Sequence, residues 1–194
     1  MLRKCGIIIL LTFICLPAVF CAESRTPWIF FDLGKTIIDH AEDYSNMRYL
    51  PEALDYLKHL KQRGYHLGLL INWPESEGKD NAEKLVLLKE FIQPKWVDQN
   101  AFDWSMFDAI LFPPKDIYQK PHPYLFIEAL RIAAPCAVVY QGEEPDEIKT
   151  AQDLGLTAHC VRGSPGVPGS LLSVDEIPTR ISESFIYTYP SFNK

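Results

Sequence analysis

Asp32 directly follows the apolar run Trp28-Ile-Phe-Phe31, and Asn72 ends a second such run. Lys120 precedes Pro121, and Glu143, Glu144, Asp146 and Glu147 crowd one short stretch further on. A carboxylate able to attack phosphorus, a lysine able to neutralise charge and an acidic group able to share a divalent cation form a set suited to phosphoryl transfer. Each residue also has a plain alternative. Acids at a helix start are favoured by the helix macrodipole without any metal, and an aspartate after a strand can cap a turn. The chemistry depends on the fold bringing the set together.

Apolar strand-like runs alternate with amphipathic helical stretches, the pattern of a parallel sheet covered by helices. Strands are expected at 28–31, 66–71, 109–112, 136–140 and 157–161. The first helix is expected from Pro51, with Leu54 and Leu57 on its apolar face and Gly64 just past its end. Others are expected at 81–91, 123–133 and 146–154, while 33–50 reads as polar loop. The expectation is an α/β, Rossmann-like three-layer sandwich with a five-stranded parallel sheet. Such sheets bind ligands beyond the carboxyl ends of their strands. Asp32, Asn72, the approach to Lys120 and the 143–147 acids all fall at that edge.

Four segments resemble, in order, the motifs of the haloacid dehalogenase superfamily. Trp28-Ile-Phe-Phe-Asp-Leu-Gly-Lys-Thr36 resembles its first motif, an apolar strand, Asp-x-Asp, a small residue and Thr. Leu67-Gly-Leu-Leu-Ile-Asn72 resembles the second, Gln119-Lys-Pro-His-Pro123 the third, and Val138-Val-Tyr-Gln-Gly-Glu-Glu-Pro-Asp-Glu147 the fourth. The resemblance implies a phosphohydrolase in which Asp32 becomes an aspartyl-phosphate and Lys120 holds the phosphate and the nucleophile's charge. It further implies a magnesium ion held by Asp32, the carbonyl of Gly34, Glu143 and Glu147. Asn72 and Lys35 are the further candidates for substrate binding.

The sequence also departs from the pattern. Gly34 stands where the second Asp, the family's general acid–base, is expected, and such help is typically worth about 100- to 10,000-fold. Ile71 replaces a phosphate-binding hydroxyl, Glu143 is one methylene longer than Asp, and Lys35 adds a charge where a small residue is usual. These changes leave a second reading: a phosphatase-like domain that binds a phosphorylated ligand or a protein without turnover.

Arg3 and Lys4 precede an apolar run from Gly6 to Phe20, as in a secretory signal peptide. Residues 1–21 are expected to be removed on export, 22–162 to form the domain and 163–194 to pack on it as a tail. Removing Arg3 and Lys4 takes the formal charge from −6 to −8. With no basic stripe, a nucleic-acid partner is not expected. Cys136 and Cys160, placed at opposite ends of neighbouring strands, are expected to be free buried thiols, beyond the reach of a disulfide. No segment is long enough for a large cap domain, although Trp96, Phe102, Trp104 and Phe107 could form a small flap. An uncapped site suits a phosphorylated small molecule, a larger phosphoester, or closure by a protein partner.

Overall fold

The computed structural model describes residues 26–162 and 169–177. The expected signal segment 1–21, and residues 163–168 and 178–194 of the expected tail, lie outside the described residues. Within them, strands β1 (Trp28–Phe31), β4 (His66–Leu70), β5 (Ala109–Leu111), β6 (Val138–Gly142) and β7 (Thr157–Cys160) form one sheet. Its order is β5-β4-β1-β6-β7, and every adjacent pair is parallel. Helices α1 (Ala53–Gln62), α2 (Asn81–Ile92), α3 (Tyr124–Ala133) and α4 (Pro145–Asp153) cover it.

The two faces follow from strand alternation. Ile29 and Phe31 of β1 point into a core with Leu57 and Leu60 of α1 and Leu88 and Ile92 of α2. Phe30 points the other way, into a core with Leu125, Phe126 and Ala129 of α3 and Ile148 and Ala151 of α4. This gives the expected three layers, with β1 central and its last three residues fully buried. An unbroken apolar run is what a strand buried on both faces requires.

Several boundaries move. Helix α1 begins at Ala53; Glu52 is its N-cap with φ 67°, so Pro51 lies outside the helix. Gly64, at φ 81°, ends it as expected, since a left-handed backbone there favours glycine. Strand β6 sits two residues later than expected because the central ladder continues through the polar but fully buried Gln141. Residues 33–50 are more ordered than a polar loop. They carry the antiparallel pair β2 (Ile38–Asp39) and β3 (Arg48–Tyr49), with Ile37, Ile38, Met47 and Tyr49 buried. Two-residue strands are too short to show a period.

The aromatic stretch after α2 joins the α1–α2 core rather than forming a flap. Phe102, Met106 and Phe107 are buried there, Tyr49 and Phe102 stack at 5.3 Å, and Met47 bridges to Trp96. Trp73 is buried in the same core, while Trp104 packs against it partly exposed. Cys136 and Cys160 are both free, but half-buried rather than buried. Residues 169–177 pack on the domain: Leu172 N–H donates to Gln141 Oε1 at 2.8 Å, and Ile177 is buried.

Candidate active site

Strand alternation sends Asp32 to the same side as Phe30, toward α3 and α4. There Lys120 Nζ donates to Asp32 Oδ1 at 2.7 Å, to Glu147 Oε2 at 2.9 Å and to Tyr140 Oη at 3.1 Å. Tyr140 Oη in turn donates to Glu147 Oε2 at 2.5 Å. The lysine side chain is 1% exposed and that of Asp32 19%, so the pair has a buried end and an end open to a ligand. An ammonium has three donors, and all three are engaged.

Each member is set in place by its element. Asp32 follows β1, and its N–H donates to Gln141 O at 2.9 Å, continuing the ladder past the strand end. Asn72 follows β4. Its amide donates to Lys120 O at 2.9 Å and its oxygen accepts from Lys120 N–H at 2.7 Å. This pair of bonds fixes the lysine's backbone, so the Asn72 side chain is committed to Lys120. Glu147 lies in the first turn of α4, where acids are favoured, and is buried. Tyr140 is fully buried in β6, and its ring covers Gly142: a Cβ there would come within 2.7 Å of the hydroxyl.

Burial pulls the Lys120 ammonium toward a lower pKa, but Asp32 and Glu147 outweigh it and hold it above the ordinary lysine value. Burial first, then the charges of Asp32 and Glu147, push the Tyr140 hydroxyl far up. It is therefore a neutral donor. A buried charge costs several kcal/mol unless paired, and this lysine is paired twice.

Glu143 has a different place. It is half-buried, and burial, then Asp32, then Glu144 raise its pKa, against Arg162 and Lys35. Two acids thus repel each other across the mouth of the site. Among the described residues no group of three or more His, Cys, Asp or Glu side chains forms a metal cage. Magnesium is commonly bound by one or two carboxylates, with waters and substrate phosphates completing an octahedron. Asp32 and Glu143 fit that smaller donor set, and a cation between them would relieve their repulsion. Glu147, implied as a further ligand, instead accepts from Lys120 and Tyr140.

Lys35, in the loop after Asp32 at φ 52°, donates to Asp39 Oδ1 at 2.8 Å and to the carbonyl of His40. Its charge reaches Glu143 but its donors are directed into its own loop. Ile71 is buried in the core and offers no polar atom in place of the missing hydroxyl. Beside this loop opens a cavity of about 550 Å³, walled by Lys35, Thr36, Pro51, Tyr56, Leu171 and Leu172. Thr36 is almost fully buried, and its hydroxyl has no hydrogen-bond partner among the described residues. Gln141 links the cavity to the end of β1: its amide donates to Tyr56 Oη at 2.8 Å while its backbone carbonyl accepts from Asp32 N–H. Burial raises the Tyr56 hydroxyl to about 12, the Gln141 bond opposing it.

Asp32, Lys120 and Glu147 were thus brought together as a set that sequence spacing alone could not join. Tyr140 was missed, because a tyrosine within an apolar strand reads as core. Only its hydroxyl, which needs a partner when buried, hints at more.

No protein-family model matches the sequence, and no curated protein matches it significantly. Solved structures do. The D,D-heptose 1.7-bisphosphate phosphatase from B. bronchiseptica, complexed with magnesium and phosphate, is 17% identical with a TM-score of 0.51. The match covers 71% of this chain and 81% of that one. An uncharacterized protein from Listeria monocytogenes serotype 4b is 18% identical with a TM-score of 0.51, covering 78% and 85%. A putative haloacid dehalogenase-like hydrolase from Bacteroides fragilis, 18% identical at a TM-score of 0.48, is covered over 95% of its length and this chain over 75%. With the parallel sheet and its strand order, the two likenesses at a TM-score of 0.51 identify the chain's architecture as a Rossmann-like α/β fold.

Proposed function

We propose that this protein is a phosphohydrolase acting on phosphomonoesters through Asp32. The observation that carries it is the buried Lys120 ammonium held 2.7 Å from the partly exposed Asp32 carboxylate. A structural ion pair has no need for one open end; a nucleophile must have it. The lysine keeps Asp32 ionised and oriented, and Glu147 and Tyr140 keep the lysine in line. Asp32 Oδ2 attacks phosphorus, the ester oxygen departs, and water then cleaves the aspartyl-phosphate. Asp32 and Glu143 are the residues that would hold a magnesium ion, which would supply charge neutralisation on the phosphoryl oxygens. An incoming phosphate shares the donors of Lys120, which are already committed.

Export follows from the N-terminal segment in the same reading, and sequencing the N-terminus of the mature protein checks it. The catalytic claim is tested with p-nitrophenyl phosphate and magnesium, comparing the wild type with Asp32→Asn. The variant should lose turnover by about 100-fold or more. An unchanged rate would refute the mechanism. The departures at Gly34 and at Ile71, which is buried with no polar atom to offer a phosphate, favour the second reading, a binding domain without turnover. Calorimetric binding of phosphate and magnesium by a wild type that turns nothing over would establish it.

A further inference from the structure

Gly34 lacks the side chain expected to protonate the leaving group, yet its backbone does not require glycine. Its φ lies outside the left-handed region, unlike Gly64, Gly78 and Gly155. What a side chain there would meet is the imidazole of His40. A Cβ built on Gly34 would stand 3.3 Å from His40 Nε2 and 3.9 Å from Cδ2. The space that an aspartate would begin to fill is bordered by a ring nitrogen.

That ring is held by two contacts. Its Nδ1 lies 2.7 Å from the carbonyl of Ala41, which can only accept, so Nδ1 carries a proton. Nε2 is therefore the nitrogen left for exchange, and it is the one turned to Gly34. The ring stacks on Tyr44 with centroids 4.7 Å apart. The His40 carbonyl and Asp39 are both clamped by Lys35, fixing the loop that carries the histidine. His40 is partly exposed, as a residue meeting a ligand must be.

We infer that His40 is the catalytic general acid of this site, delivering a proton from Nε2 to the ester oxygen in place of the carboxylate absent at position 34. The inference rests on the phosphohydrolase reading above. As Asp32 Oδ2 bonds to phosphorus, the bond from phosphorus to the ester oxygen breaks and its electron pair takes the Nε2 proton. The neutral ring then accepts a proton from the water whose oxygen attacks the aspartyl-phosphate, freeing Asp32 and inorganic phosphate. Glycine at 34 and histidine at 40 are one exchange rather than a loss: removing the Cβ makes room for the ring.

The test compares kcat/KM, which reports the steps through leaving-group departure, on an alkyl phosphate and on p-nitrophenyl phosphate. An alkoxide needs protonation; p-nitrophenolate hardly does. His40→Ala should lower kcat/KM on the alkyl ester about 100-fold or more, and only a few-fold on the aryl ester. Adding Gly34→Asp to His40→Ala puts a carboxylate into the vacated space and should recover much of the alkyl activity. Equal losses on both esters, no loss on either, or no recovery in the double variant would each overturn the inference. Asp32→Asn separates the two levels. If it leaves the rate unchanged, the phosphohydrolase reading fails; if it abolishes both activities while His40→Ala does not discriminate, only the role of His40 fails.

Discussion

Lys120 shows how much a single side chain depends on its partners. Its ammonium is buried, so removing Asp32 or Glu147 leaves it with one fewer counter-charge where water cannot compensate. Glu143 carries the opposite situation, an acid beside an acid with its pKa raised chiefly by burial and then by Asp32. A carboxyl whose folded pKa lies above its unfolded value destabilises the fold when ionised. That penalty is fully present above the folded value and vanishes below the usual glutamate value of about 4.3. Glu143→Gln should therefore melt at a higher temperature than wild type at pH 7 without metal, with the gap closing as the pH falls toward 4. Magnesium should raise the melting temperature of the wild type and not of the variant. Thermal melts across pH, with and without magnesium, check both. The candidate residues Asp32 and Glu143 were legible from their places after strand-like runs, and Lys120 from its place before Pro121. The commitment of Asn72 to the Lys120 backbone was not, because only distances reveal where an amide's bonds go.

At the scale of elements, what placed the site was the order of strands and helices. Periodicity gave the four helices, each of which buries a face that repeats along the sequence, and continuous strand-like runs gave the five strands. The pair β2–β3 escaped because two residues show no period, although it carries the loop from Lys35 to His40. Strand β6 escaped by two residues because Gln141 is polar and buried at once. Helix α2 carries a local start signal that the sequence reading did not use. Asp80 caps it, accepting from Glu83 N–H at 2.9 Å, while Glu83 Oε2 accepts from Lys79 N–H at 3.1 Å. Asp80→Ala should cost about 1 kcal/mol. It should leave turnover untouched, because α2 lies on the face of the sheet away from Lys120. Denaturant titration and the aryl phosphate assay together check this.

On the scale of the whole molecule, the described part of the tail completes the domain. Leu172 satisfies the buried oxygen of Gln141, the His159 ring meets the Ser170 carbonyl at 2.8 Å, and Ile177 closes the α1 side of the core. A chain ending at Arg162 would leave Gln141 Oε1 without that donor and strip the core of the cover that Ile177 gives it. It should lose roughly 2–5 kcal/mol, from a buried group left unpaired and apolar area returned to water. Urea unfolding of the two chains measures the difference. Composition suggested a packed tail without showing where, since a Gly- and Pro-rich connection has no period to read.

All three scales meet at Asp32, and its chemistry can be observed directly. The wild type is mixed with a phosphomonoester and magnesium, quenched in acid within the first turnover, digested and weighed by mass spectrometry. The peptide bearing Asp32 should carry one added phosphoryl group, which Asp32→Asn should not acquire. Hydrolysis of the ester with no phosphoryl group on that peptide at any quench time, or with the group on another residue, would contradict the account.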